Sequence, residues 1–409
     1  MYLKMSLHIS KPGYAVVVST PPPLLPSGAQ DTQVLTNVNG SNTWSYPQYF
    51  YKGSNMFPEN TVNTTDISGV SGFQGGGALA PNGNIYFGPF SSLSQTLKVN
   101  PYTNTTTTIP NTSLNGFGYN GTATSENGSI YMLPTTDTSS IQVINTLASD
   151  SVSYISSNDI SSTSHYGLVN FNRNVYLIPR NSSSVLRIDT SNNNAIVSDA
   201  SLTNITTTRF ATLGTNINKF AGGVLGSDGK IYCIPSEARR VLRFIPTTAS
   251  QVPEVLTSSD VSGYVGGVLA PNNRIYMIPY TANNIGIIDI SNSTISTSLS
   301  TFINSSGAVT NISTLGATKF HGGVLAPNGS IYCMPDDNSN NTILYIDTSS
   351  NIVRSITFGT ESQSYGGGVL APNGKIYMAP LNATSVPSIK TGIPVLTGWQ
   401  YANSLNKNP

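Results

Sequence analysis

Reactive side chains are scarce in this chain. Among 409 residues there are three histidines, two cysteines and two tryptophans. Glutamate occurs only at Glu59, Glu126, Glu237, Glu254 and Glu361. The two cysteines, Cys233 and Cys333, exclude a small disulfide-stapled scaffold and a zinc cluster. Charge is thin: 19 Lys and Arg stand against 18 Asp and Glu, a net charge of +1. A nucleic-acid binder carries a basic stripe, and the nearest approach here is Arg239-Arg240, so nucleic acid is not an expected partner. Long apolar runs are missing too. Residues 1–12 lack the apolar core of a signal peptide, and the run 14–18 is short and followed by Pro21-Pro22-Pro23. No segment approaches the roughly 20 apolar residues of a membrane-spanning helix. No long stretch combines helical apolar periodicity with good helix formers.

What fills the chain is Asn, Ser, Thr and Gly, residues of turns and exposed β-surface. A hydrophobic content of 38% argues against disorder. Fourteen Asn-x-Ser/Thr sequons occur, among them Asn104, Asn204, Asn311 and Asn382, as an Asn/Ser/Thr-rich chain makes by chance.

One phrase recurs. Residues 367–377 read GGVLAPNGKIY, and close copies begin at Gly322 and Gly266. Its anchor is an aliphatic-Tyr pair with Pro three residues later. This occurs at Tyr86, Tyr131, Tyr176, Tyr232, Tyr276, Tyr332 and Tyr377, with spacings of 45, 45, 56, 44, 56 and 45. Such a period matches a propeller blade, with two units carrying longer loops. The sixth unit shows the internal pattern. Residues 320–326 form a short apolar strand, and Pro327-Asn328-Gly329 supplies a tight turn. Strands at 330–335, 343–347 and 352–357 follow, separated by polar turns. The expected fold is all-β: a seven-bladed β-propeller with four-stranded blades, preceded by an extended N-terminal arm. Residues 1–57 make the arm, 58–395 the propeller and 396–409 a C-terminal tail. The Gly pairs precede strands rather than helix N-termini, so they read as relief of crowding near a central axis and not as phosphate cradles. Residues 58–69 resemble the outer strand before the fifth unit, so the N-terminal side is expected to supply the outer strand of the last blade. Residues 395–401 are expected to add a strand or pack under the ring.

In register, the units share one slot whose occupants differ in chemical kind. Eleven residues before each tyrosine lie Gly75, Asn120, His165, Ala221, Val265, His321 and Gly366. His165 and His321 are thus expected to share a slot and face each other across the channel. With Asn120 they are the candidates for a channel-mouth site. A metal site needs three or four convergent ligands, and no Asp, Glu or Cys occupies this slot, so no metal or cofactor is expected. The cysteines follow Tyr232 and Tyr332, where other units place Phe87, Met132, Leu177, Met277 and Met378, an apolar slot. Asp189, Asp289 and Asp347 end third strands and are expected to cap the next turn.

The repeats resemble seven-bladed propellers of the kelch, NHL and streptogramin-lyase-like kind. The phrase GGVLAPNGKIY, with the later Ile-Asp-Thr, is similar to repeats of large DNA viruses and some bacteria. The likeness to streptogramin lyases implies a His/Glu pair with a magnesium ion on the channel face. No such pair can be matched here, so no catalytic residue is carried over.

The leading expectation is a non-catalytic structural or interaction propeller, a virion or particle-surface component otherwise found in the cytoplasm. Its arm, through Trp44, Tyr46, Tyr49, Phe50 and Tyr51, would hold a capsid, tail or other particle subunit, with host attachment as one role. The alternatives are a lyase- or lactonase-like enzyme, or a carbohydrate-binding propeller, acting at the channel mouth.

Overall fold

Strand follows strand by short reversals, as the turn chemistry predicts. A computed structural model describes residues 36–38, 41–43, 61–68 and 70–391, apart from 91–94, 111–117, 135–139, 158–159, 161–163, 183, 193, 199–217, 247–252, 257–260, 337–341 and 359–363. The chain divides into two units, Met1–Pro58 and Glu59–Pro409. In the first, the backbones of Thr36–Val38 and Ser41–Thr43 pair as a small hairpin. The aromatic residues proposed for the arm, from Trp44 to Tyr51, and the tail from 396 onward lie outside the described residues.

The second unit is a seven-bladed β-propeller of four-stranded antiparallel blades. Their first strands are Phe73–Leu79, Tyr119–Thr124, His165–Phe171, Phe220–Leu225, Tyr264–Leu269, Phe320–Leu325 and Tyr365–Leu370. Blade 7 is closed by the N-terminal side of the chain. Thr61–Ser68 pairs antiparallel with Ser385–Lys390, so the ring's two ends share one four-stranded sheet. Blade 6 is wider than the others. The long link before it forms a hairpin, Thr301–Ile303 with Val309–Asn311, which joins its outer strand through a parallel pairing of Ile303 with Arg354.

Burial follows the layering. Second strands such as Ser330–Pro335 are buried at every position, because neighbouring blades cover both faces. An outer strand such as Thr294–Leu299 alternates exposed and half-buried residues. Among the described residues the apolar core is seven clusters, each shared by two adjacent blades. Between blades 3 and 4, for example, Tyr176 and Ile178 pack on Phe220, Ile231 and Cys233. Both cysteines are buried free thiols, and burial pushes their pKa values up.

The repeated tyrosine bolts blade to blade. All seven anchor rings are buried. The Tyr276 hydroxyl accepts from Asn272 of its own hairpin at 2.9 Å and donates to Asn351 of blade 6 at 2.6 Å. Tyr377 bonds Asn373 and Asn104 of blade 1 in the same way, and Tyr131 donates to Asn194 of blade 3. Asn104, Asn194 and Asn351 sit at φ between 52° and 59°, left-handed turn positions that Asn tolerates better than most residues. The aspartates expected to cap turns do so: the Ser191, Ser291 and Ser349 amides donate to Asp189, Asp289 and Asp347.

The axis is lined by one glycine from each blade: Gly76, Gly121, Gly167, Gly222, Gly266, Gly322 and Gly367. A Cβ on Gly167 would stand 2.7 Å from the Cα of Gly222, and one on Gly367 would stand 2.5 Å from that of Gly76. Backbone meets backbone there, so no side-chain adjustment relieves the clash.

Candidate functional site at the channel mouth

The ring has two dissimilar ends. At one lie the tight turns between first and second strands and between third and fourth. At the other, first strands begin, second strands end at their Pro, and the links between blades cross. The long link before blade 6 opens at this second end. It is the mouth where candidate residues gather.

Strand pairing corrects the slot read from sequence. The residues paired with the terminal Pro of each second strand are Phe73, Tyr119, His165, Phe220, Tyr264, Phe320 and Tyr365. His165 therefore occupies a buried aromatic position and not the slot of His321. The residue after each aromatic is the channel slot, and its occupants are Gln74, Asn120, Tyr166, Ala221, Val265, His321 and Gly366. Counting back from the tyrosine failed in two blades for separate reasons. Blade 3 turns through only Asn172-Arg173, both at positive φ, so that Phe171 pairs with Asn174. Other hairpins are longer; in blade 1 five residues separate Leu79 from Ile85. The bulge in blade 1 also holds an extra residue: four steps from Gln74 to Ala78 oppose two from Gly88 to Tyr86.

His165 is a satisfied, neutral imidazole. It is 2% exposed. Its Nε2–H donates to the Ser184 carbonyl at 3.1 Å, and its Nδ1 accepts from the Ser164 hydroxyl at 2.7 Å. Burial pulls its pKa down to about 4, against a smaller opposing effect of the Ser184 bond.

His321 ties three blades together at the channel slot. The Tyr166 hydroxyl, from blade 3, donates to His321 Nε2 at 2.7 Å. The Gln74 amide, from blade 1, reaches the same nitrogen at 3.3 Å. Nε2 is thus the acceptor, and the ring proton sits on Nδ1. Burial lowers the His321 pKa, with the Asp336 charge and a hydrogen bond with the Gly366 backbone pulling the other way. Burial also raises the Tyr166 hydroxyl, so both partners stay neutral near pH 7. Arg180 lies over the Tyr166 ring, its Cζ 5.5 Å from the centroid, and its Nε donates to Asn218 at 2.5 Å. Asn120 occupies the equivalent slot in blade 2, half-buried.

Several charged residues lie at this end. Arg180, Glu237 and Asp336 follow second strands, and Lys219 and Lys319 precede first strands. The two lysines direct Nζ at the carbonyls of Asn181 and Thr281 in the preceding blades, at 3.3 and 3.4 Å. Of the sequence candidates, the structure brings His321 to the channel and removes His165 from it. Gln74 and Tyr166 were not legible from tyrosine-based counting. Alignment on the leading aromatic of each first strand would have found them.

The magnesium site that the lyase resemblance implies does not fit these residues. The acceptor nitrogen of His321 is already taken. Among the described residues no group of three or more His, Cys, Asp or Glu side chains could hold a metal ion.

The fold defines the class: this is a seven-bladed β-propeller. No protein-family model matches the chain, and no curated protein matches it. Solved structures do. A streptogramin B lyase is 14% identical with a TM-score of 0.63, the match covering 82% of this chain and 99% of that one. Virginiamycin B lyase from Staphylococcus aureus is 13% identical with a TM-score of 0.63, covering 81% and 99%. The extracellular domain of a putative one-component system of B. thetaiotaomicron is 12% identical with a TM-score of 0.54, covering 82% of this chain and 40% of that one. At these identities the likeness establishes the fold alone.

Proposed function

We propose that the chain is a non-catalytic interaction propeller, mounted on a larger particle such as a virion through residues 1–57. The observation that carries the non-catalytic reading is the commitment of both ring histidines. His165 is buried in an aromatic position with both nitrogens bonded, and His321 spends its acceptor nitrogen on Tyr166 and Gln74. The particle placement is supported by composition, by the aromatic run from Trp44 to Tyr51, and by the likeness of the repeats to those of large DNA viruses. Capsid or tail subunits are the partners this reading expects. Comparing the full-length chain with one lacking residues 1–57 tests it. The full-length chain should assemble or retain particle components in co-sedimentation, and the shortened ring should stay monomeric. A full-length chain that is monomeric and retains nothing overturns the reading.

A second reading, an enzyme acting at the mouth, is favoured by one geometry. Tyr166 and His321 form a hydroxyl–imidazole pair at 2.7 Å, a proton-transfer distance. A histidine-to-alanine form of virginiamycin B lyase is catalytically inactive, and that fold resembles this one. If His321→Ala abolishes a measured turnover while the ring stays folded, this reading replaces the first.

A further inference from the structure

We propose that Gln74, Tyr166 and His321 form an acid-responsive latch across the channel: when His321 takes a second proton on Nε2, the Gln74 amide turns over and presents its carbonyl to the ring. The latch works whether or not residues 1–57 hold a partner. Three blades meet at one nitrogen. Blades 3 and 6 stand on opposite sides of a seven-membered ring, so the 2.7 Å bond from the Tyr166 hydroxyl to His321 Nε2 spans the channel. Gln74 of blade 1 joins them, its amide nitrogen 3.3 Å from the same atom. Gln74 is 8% exposed, and its Oε1 is buried with no hydrogen-bond partner. An unpaired buried acceptor is costly, and natural structures keep few.

A second proton on Nε2 turns the ring from acceptor into donor, and two donors then face a third. Both neighbours can answer without leaving their places. Tyr166 keeps lone pairs on its oxygen and accepts once its own proton turns aside. Gln74 carries donor and acceptor on one planar group, and half a turn about its last torsion exchanges them in nearly the same space. Gly366, in the same slot of blade 7, leaves Gln74 its place: a Cβ there would stand 2.6 Å from both its Cα and its Cγ. After the turn, Oε1 accepts from a charged ring, a stronger bond than the neutral one it replaces.

The charges around the ring come from several blades. The Asp336 carboxylate of blade 6 favours the imidazolium, as does the hydrogen bond with the Gly366 backbone, while burial opposes it. Tyr280 of blade 5 bonds Asp336. Arg180 of blade 3, over the Tyr166 ring, is a like charge to the imidazolium. Lys319, two residues before His321, sends its Nζ to the Thr281 carbonyl. Burial wins, so the folded ring holds a second proton more weakly than an unfolded one, and the latch turns in acid, below pH 6.5. The bolts at the opposite end, from Tyr131, Tyr276 and Tyr377 to asparagines, do not titrate in acid. Acid therefore rearranges the mouth and leaves those bolts in place.

Nitrogen-15 and proton NMR of the full chain, from pH 7.5 down to 4, tests this. His321 should gain its second proton within that range while the ring stays folded. With the same midpoint the Gln74 amide protons, identified by their loss in Gln74→Met, should lose their Overhauser contact with the imidazole. In Gln74→Met the proton affinity of His321 should fall about fivefold, because the charged state loses the stronger bond. An amide fixed as a donor would give the reverse, since its removal relieves the imidazolium. If Gln74→Met does not fold, Gln74→Glu identifies the amide protons in its place, and their behaviour in the wild type decides. The proposal is overturned if His321 stays singly protonated down to pH 4, if the amide protons keep their contact with the charged ring, or if Gln74→Met raises the proton affinity or leaves it unchanged.

Discussion

Replacing His165 by Phe tests the corrected register and the buried charge state together. The six sister positions hold Phe73, Tyr119, Phe220, Tyr264, Phe320 and Tyr365, all buried, so the site is shaped for an aromatic ring. His165 folds as a neutral imidazole with a pKa lowered from 6.5 to about 4. As pH falls, the unfolded chain takes up this proton before the folded one does. Stability is therefore full above pH 6.5 and is lost as pH drops toward 4. Between pH 7.5 and 4.5 that loss is about 2–3 kcal/mol for this one group. In His165→Phe it should vanish, while losses from His321 and the carboxylates remain in both proteins. At pH 7.5 the variant leaves the Ser164 hydroxyl and the Ser184 carbonyl without the imidazole, at about 1 kcal/mol each, partly offset by ring burial. Denaturant unfolding at the two pH values measures both numbers. If wild type and variant lose the same stability on acidification, His165 does not sit as a neutral group in the aromatic position, and the reasoning is wrong.

Three further outcomes follow from packing. Gly167→Ala places a Cβ against the Gly222 backbone at φ +84° and should cost about 2–5 kcal/mol, whereas Gly229→Ala, in open space at φ +75°, should cost about 1–2 kcal/mol; denaturant midpoints compare them. Tyr276→Phe removes the bolt to Asn351 and should cost about 1–3 kcal/mol by the same measurement, with the ring intact by circular dichroism. Cys233 and Cys333 should both resist a thiol reagent in the native state and react together on unfolding, as absorbance of the released thiolate would show.

Much of the ring was legible in the sequence because its signals are local and repeated. The Pro-Asn-Gly turn, the tyrosine period and the alternating strands each specify a blade without reference to the others. Closure was legible too, since residues 58–69 repeat the outer-strand pattern seen before blade 5, and Thr61–Ser68 does pair with Ser385–Lys390. The site was less legible. It depends on a register that one residue shifts, and Asn172-Arg173 shortens one hairpin while Gly75 to Gly77 lengthen one bulge. Strand pairing makes Asn120 and His321 equivalent positions, sets His165 one position away from them, and adds Gln74 and Tyr166 to the slot. The tyrosines, read as strand ends, also act between blades; no local pattern announces a hydroxyl that bonds a turn about 75 residues later.

The most direct measurement concerns His321, whose committed nitrogen underlies the non-catalytic reading. Nitrogen-15 NMR of the three histidines at pH 6, in wild type and in Tyr166→Phe, reports protonation and tautomer at once. The account predicts a neutral His321 ring with its proton on Nδ1, titrating below 6.5, and an Nε2 resonance that moves when the Tyr166 hydroxyl is removed. A His321 ring that titrates at or above 6.5, with an Nε2 signal indifferent to Tyr166, would contradict it.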